Sequence, residues 1–260
     1  TPVLLISGQV ESYNLGRKRG ALHEISEQKD VFEPITKWCH CVAAVAEIPG
    51  AVQTAMHHLR TGRQRPVELE IPWDVMQNSD SVDMLEPKPV IETPPEPSAI
   101  KAAAQALAGA QHPVIWAGGG VISSDASKEL SLVAERLNAP VITTPEGKGT
   151  IPETHPLSLG VYYYGYGPAK WTIPQADVIL AVGSRLYFPL NSPVSFSQDQ
   201  KLIQIDVDAD EVGRNYKLHV GIAGDAGMAL RSLLEELPEK GNSVWRTEDL
   251  EKIKHEAIRE

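Results

Sequence analysis

Three consecutive glycines, Gly118, Gly119 and Gly120, follow the apolar run His112–Ala117. Glycines at the carboxyl end of a buried strand let backbone N–H groups approach a phosphate. Further along, Thr144 follows a second short apolar run, Gly183-Ser184-Arg185 ends a third, Asp206 ends a fourth, and Asp225 follows a fifth. An acidic residue at such a strand end commonly accepts a ribose hydroxyl. Together these residues make a candidate nucleotide site. Each also has a plain structural use, since the same groups cap helices and make tight turns, and GGG is not the spaced G-x-G-x-x-G fingerprint.

These groups need strands to hold them. His112–Ala117 reads as a buried strand, with Ser124 as N-cap and Asp125 in the first turn of the helix that follows. Ala126, Leu130, Val133 and Leu137 share one face of that helix. Asn138 and Pro140 stop it, and Val141–Thr143 is the next strand, giving a βαβ unit. A long loop over 144–160 and a Tyr-rich turn, Val161–Gly167, come next. Asp177–Val182 is a continuous apolar strand of the parallel, doubly covered kind. Leu202–Ile205 runs into Asp206, a short strand over Val220–Ala223 runs into Gly224-Asp225, and Met228–Leu237 is a helix. The pattern predicts an α/β fold with about five parallel strands in a doubly wound sheet.

The first third of the chain is different. Residues 2–6 read as a strand and Ser7-Gly8-Gln9 as a polar turn at its carboxyl end, where α/β proteins place ligands. A polar stretch over 11–30 contains the basic GRKRG (Gly16–Gly20) and then His23 and Glu24. A loop of that length without regular structure is usually functional, and the bland alternative for His23 and Glu24 is a solvated helix start. Glu47–Arg60 is an amphipathic helix with Ile48, Val52, Ala55, Met56 and Leu59 on one face. Val67, Leu69 and Ile71 alternate with Glu68 and Glu70, which predicts a half-exposed strand. Residues 86–97 (EPKPVIETPPEP) hold five prolines in twelve positions, a semi-rigid linker. The expected organisation is therefore a partial α/β domain over 1–85, a linker over 86–97, and a central Rossmann-like domain over 98–240. A helix over 241–260 would then connect towards a missing C-terminal domain. The first part is too small to be a self-sufficient α/β domain, and Thr1 already lies inside an apolar strand, so the expectation is a chain cut from a longer protein.

The composition narrows the partners. The 260 residues carry a formal net charge of −10, which argues against nucleic acid and anionic membrane surfaces as partners. The two cysteines, Cys39 and Cys41, flank His40, too few ligands for a structural zinc site. Their i, i+2 spacing does not suit a disulfide, so no metal site is expected and a reducing, cytoplasmic setting is the default.

The chain resembles the thiamine-diphosphate-dependent enzymes of the acetolactate synthase and 2-oxo-acid decarboxylase group. Pro2–Val10 (PVLLISGQV), Pro34–Trp38 (PITKW) and Thr61–Pro72 (TGRQRPVELEIP) are similar to the second half of that family's pyrimidine-binding domain. His112–Gly120, Thr143–Gly160, Ala176–Gly183 (ADVILAVG), Gln204–Gly213 (QIDVDADEVG) and the GDA at 224–226 are similar to its central domain. The resemblance implies a lyase or transferase that uses thiamine diphosphate and Mg²⁺ to decarboxylate a 2-oxo acid, the cofactor acting as electron sink. It also implies a homodimer or homotetramer. Gln9, His23 and Glu24 would lie at the substrate and cofactor entrance, and Gly118, Gly119, Gly120, Thr144, Gly183, Arg185, Asp206 and Asp225 at nucleotide-contact positions. The family's catalytic glutamate and its GDG…NN metal motif have no counterpart in this sequence. Flavin-carrying relatives have an R-F-D-D-R-type run after the G-x-R turn, whereas Arg185 is followed here by Leu186-Tyr187-Phe188-Pro189-Leu190. That departure weighs against FAD and leaves an ADP-type, vestigial or empty site as alternatives. The isolated chain is expected to be inactive and not to hold thiamine diphosphate. Two other readings stand beside this one: a free-standing nucleotide-binding module of the NAD-dependent deacylase kind, and a spacer domain that binds nothing.

Overall fold

The computed structural model describes residues 1–90, 92–187 and 195–259. The chain divides into two units, Thr1–Glu92 and Thr93–Glu260, each with its own parallel sheet.

The first unit contains β1 (Leu4–Gln9), α1 (Gln28–Phe32), β2 (Trp38–Cys41), α2 (Ile48–Arg60), β3 (Val67–Pro72) and α3 (Trp73–Gln77). Its strand order is β1-β3-β2. α2 starts with Pro49 in its first turn, where a missing N–H costs nothing, and buries Ala51, Ala55 and Leu59. Met56, expected on the inner face, is 43% exposed. The small alanines let the helix lie close to β3, and this rotates the buried stripe away from Met56.

Two further expectations are corrected in this unit, and one strand that the sequence reading did not foresee is added. Ser7, Gly8 and Gln9 are not a turn but the end of β1, paired with Glu70, Ile71 and Pro72 of β3. The mixed sequence WCHC hides β2, a short strand on the sheet's edge. β3 is not half exposed. It is the central strand, and Glu68 and Glu70 are 0% and 2% exposed. The alternation of charge misled because the second face of β3 is covered too.

The second unit runs α4 (Pro97–Ala108), β4 (Pro113–Ala117), α5 (Gly119–Ser123), α6 (Ser127–Leu137), β5 (Val141–Thr143), β6 (Ser158–Val161), α7 (Ala169–Thr172), β7 (Val178–Val182), β8 (Lys201–Asp206), β9 (Val220–Ala223), α8 (Ala226–Glu236) and α9 (Thr247–Arg259). The sheet has six strands in the order β6-β5-β4-β7-β8-β9. Ile115, Ile142, Leu180 and Ile203 are fully buried in it, each contributing roughly 1.5–3 kcal/mol. The extra strand, β6, escapes a periodicity reading because it has only four residues (SLGV), includes Gly160 at φ +102°, and meets β5 through an irregular register.

The helix after the glycines comes in two pieces. Ser124 closes α5 instead of capping α6, and Asp125 has a left-handed φ of 49° between them. The core stripe Ala126, Leu130, Val133 and Leu137 is buried as its spacing predicts. Asn138 ends α6 in the left-handed conformation, φ 46°. Asp177 stays outside β7 and instead accepts the N–H groups of Gln111 (2.7 Å) and His112 (2.9 Å). Towards the C-terminus, Trp245 donates its indole N–H to the Pro113 carbonyl at 2.9 Å, and α9 buries Leu250 and Ile253. No helix among the described residues is long and apolar enough to cross a membrane.

Candidate functional site

In the second unit the chain moves from β4 outwards to β5 and β6, then returns to lay β7, β8 and β9 on the other side of β4. The carboxyl ends of β4 and β7 therefore flank a topological switch point, the place where open α/β sheets bind ligands. Gly118–Gly120 and Gly183 meet there. A Cβ on Gly118 would lie 2.3 Å from the Gly183 carbonyl oxygen, and one on Gly120 would lie 2.5 Å from the Gly183 Cα. The N–H of Gly118 donates to the Val182 carbonyl (2.9 Å) and that of Gly120 to the Gly183 carbonyl (3.1 Å). Close approach of two backbones thus requires Gly118, Gly120 and Gly183. Gly119 has a different neighbour, the Glu146 side chain.

The other predicted residues line the same carboxyl edge, and most have structural work there. Thr144 donates its backbone N–H to Ala117 (2.9 Å), while its hydroxyl oxygen accepts the N–H of Gly147 (3.1 Å). Asp206 accepts the N–H of Asp208 at 3.0 Å. Asp225 caps α8 by accepting the Met228 N–H at 3.0 Å. Arg185 is exposed, and its carbonyl accepts a bond from the Asn215 side chain at 2.8 Å. Between them Ser184 accepts the Trp116 indole N–H and the Leu186 backbone N–H, both at 3.2 Å. Phe188, Pro189 and Leu190 lie outside the described residues. Of the Tyr-rich turn, Tyr162 packs on Trp116 at 5.4 Å between centroids, while Tyr163, Tyr164 and Tyr166 are exposed.

In the first unit, parallel register puts Leu5, Glu68 and Cys39 in one row and Ser7, Glu70 and Cys41 in the next. Paired residues share a face of a sheet, so two carboxyls and two thiols gather on one side of it. Ser7 donates its hydroxyl to Glu68, Gln9 donates its amide to Glu70 at 3.3 Å, and Gln28 of α1 donates to Ser7 and to the Gly8 carbonyl. One oxygen of each carboxyl, Glu68 Oε2 and Glu70 Oε1, is buried without a partner. Burial, with Glu70 adding to it and the Ser7 bond opposing, raises the Glu68 pKa above the ordinary carboxyl value. Burial and the nearby Glu70 carboxyl push the Cys41 thiol up to about 12. This polar face was not anticipated from the sequence. The only trace of it there is the pair of glutamates inside a strand, and that signal looks the same for an exposed face.

Gln9 thus sits at the carboxyl end of β1 and takes part in this polar network. His23 and Glu24 are not a helix start, since α1 begins only at Gln28. They lie in a turn where His23 has φ 66° and the Glu24 carboxylate accepts backbone N–H groups. A separate open concavity of about 760 Å³ between β2, α2 and residues 81–88 contains none of the predicted residues. The His40 ring nitrogen that lines it is taken up by Glu47 at 2.7 Å.

The comparisons with known proteins bear on the same chain. A family model described as the central domain of thiamine pyrophosphate enzymes matches residues 100–233, from α4 into α8. This chain belongs to the thiamine pyrophosphate enzyme family. Among this family member's curated relatives is a probable acetolactate synthase large subunit of Methanocaldococcus jannaschii, 35% identical over 97% of the chain and 45% of the relative. An acetolactate synthase large subunit of Corynebacterium glutamicum is 36% identical over 90% of the chain and 38% of the relative. A glyoxylate carboligase of Escherichia coli O157:H7 is 32% identical over 95% of the chain and 42% of the relative. The chain therefore spans less than half the length of these relatives. The fold is that of the benzoylformate decarboxylase of Polynucleobacter necessarius, with a TM-score of 0.77 over 93% of the chain and 46% of that structure at 23% identity. As for the metal that such enzymes imply, the described residues contain no group of three or more His, Cys, Asp or Glu side chains placed to hold an ion. Among the described residues of this thiamine pyrophosphate enzyme chain, the side chains do not by themselves fit a metal–diphosphate centre.

Proposed function

We propose that the chain is part of a larger thiamine-diphosphate-dependent enzyme that decarboxylates a 2-oxo acid and joins the product to a second carbonyl compound, as in acetolactate synthase. One observation carries this reading: the similarity runs through both units, over 97% of the chain, to a relative of which it covers 45%. Thiamine diphosphate and Mg²⁺ are then held mainly by residues outside these 260. The chain contributes the carboxyl end of β1, with Gln9, and the loop bearing His23 and Glu24 to the entrance. The working form is a homodimer or homotetramer in the cytoplasm. The test is isothermal titration of this chain with thiamine diphosphate and Mg²⁺, beside a decarboxylation assay on the longer protein. No binding by the chain, and thiamine-dependent CO₂ release from pyruvate by the longer protein, is the expected pair of results. Micromolar binding by the chain alone would overturn the division of labour, and an inactive longer protein would overturn the assignment.

A second reading concerns the central unit. The topological switch point between β4 and β7, with exposed Arg185 beside Gly183, favours an ADP-type ligand there, and the sequence after Arg185 disfavours FAD. A ligand present at a hundred times its Kd raises stability by about 2.7 kcal/mol. ADP should therefore raise the melting temperature and FAD should add no flavin absorbance to the purified protein. Loss of the ADP effect in Arg185→Ala is expected. No shift with ADP, NAD or coenzyme A would make the unit a spacer.

A further inference from the structure

The loop after β1 holds an anion, and the anion is its own. Glu24 Oε2 accepts the N–H groups of Gly20 (2.7 Å) and Ala21 (3.0 Å), and Oε1 accepts that of Arg19 (3.3 Å). Successive N–H groups converge on one carboxylate because the backbone alternates in handedness: Gly16, Lys18, Gly20 and His23 all have positive φ, from 50° to 74°. Such a concavity of backbone N–H groups is a general receptor for phosphate and carboxylate oxygens. Burial works against ionisation of Glu24, but the N–H groups of Ala21, Gly20, Arg19 and Lys18 outweigh it and hold the carboxyl below its usual range.

The second observation is independent of the loop's backbone. Arg17, Lys18 and Arg19 are three consecutive exposed cations, and among the described residues none of them forms an ion pair. In a chain of net charge −10, three consecutive cations next in sequence to a carboxylate-filled set of N–H groups give this stretch a local surplus of positive charge. A monoanion satisfies the N–H groups but not the cations. A dianionic group with three oxygens satisfies both.

We propose that residues 16–24 form a binding site for a phosphate group, with Glu24 as an internal plug that an incoming phosphate displaces. The N–H groups of Arg19, Gly20 and Ala21 take the phosphate oxygens, and Arg17, Lys18 and Arg19 neutralise its charge. The released Glu24 carboxylate turns to solvent, and no covalent bond changes. The proposal stands without the entrance reading given above, since its test needs neither thiamine diphosphate nor turnover.

The experiment is a titration of the ¹⁵N-labelled 260-residue chain with inorganic phosphate at constant ionic strength, following the amides of Arg19, Gly20 and Ala21. Glu24→Ala removes the plug and should bind phosphate about tenfold more tightly than the parent chain, the equivalent of one charge-assisted competitor. Glu24→Gln keeps the acceptor oxygen without the charge and should show a smaller gain. Adding Arg17→Ala, Lys18→Ala and Arg19→Ala to Glu24→Ala should abolish the gain. Acetate should bind the Glu24→Ala chain more weakly than phosphate does. Equal binding of acetate would overturn the phosphate assignment in favour of a carboxylate site. Unchanged phosphate affinity in both Glu24 variants would overturn the site altogether and leave Glu24 as a loop cap.

Discussion

Gly120 and Gly183 touch through their backbones: a Cβ on Gly183 would fall 2.4 Å from the Gly120 Cα, and Gly183 itself has φ +59°. The turn that ends β7 therefore locks against the turn that ends β4. Gly183→Ala combines a steric clash between two backbones with a left-handed conformation that disfavours a side chain. It should cost about 2–4 kcal/mol, measured as a lower urea midpoint at unchanged slope. A loss below about 0.5 kcal/mol would mean the two turns are free to separate.

Asp177 ties the start of β7 to the loop before β4 by accepting two N–H groups, from Gln111 and His112. Asp177→Ala leaves both donors without that acceptor and should destabilise the chain by about 1–2 kcal/mol. Hydrogen exchange at Gln111 and His112 should speed up well before exchange in the β4 core does. Asp177→Asn, which keeps one acceptor oxygen, should lose about half as much.

Glu68 makes the first unit sensitive to pH. Its folded pKa lies above the ordinary carboxyl value because burial disfavours the charge, with the Ser7 bond opposing and Glu70 adding to the rise. A raised carboxyl pKa means the folded state binds the proton more tightly than the unfolded state. The penalty is therefore fully present above the folded pKa and is relieved as pH falls from that value towards 4.5. Glu68→Gln should stabilise the chain at pH 7 by about 1 kcal/mol and flatten this part of the pH profile. Denaturant melts from pH 7 to pH 4.5 measure both effects, and a variant less stable than the parent at pH 7 would show that the Ser7 bond outweighs the burial of the charge.

The two thiols should be slow nucleophiles. Burial, with the nearby Glu70, pushes Cys41 up to about 12, and burial together with Glu68 also raises Cys39. The thiolate is the reactive form, so modification by a disulfide reagent at pH 8 should lag a small-molecule thiol, Cys41 more than Cys39. Glu70→Gln removes the charge beside Cys41 and should speed its modification. Equal rates at both cysteines would contradict the polar face as described.

Much of the second unit is legible in the residues themselves. Ala126, Leu130, Val133 and Leu137 repeat at helical spacing and are buried, and DVILAV can hardly be other than a central strand. A helix or a fully covered strand advertises itself in this way because one element's own period decides which residues are buried. The family resemblance is legible for a related reason: it lies in short runs of contiguous residues, such as ADVILAV and QIDVDADEVG.

Tertiary structure alone decided what depends on residues far apart in the chain. Glu68 and Glu70 look solvent-facing until β1 and β2 flank β3 and Gln28 of α1 closes on Ser7. The three glycines suggest a phosphate cradle until Gly183, more than sixty positions later, is found against them. Glu24 reads as a surface acid until the backbone of residues 19–21 turns its N–H groups towards it. Neighbours along the chain fix the local conformation, but whether a polar group meets water, another backbone or a ligand depends on which segments the fold brings to it.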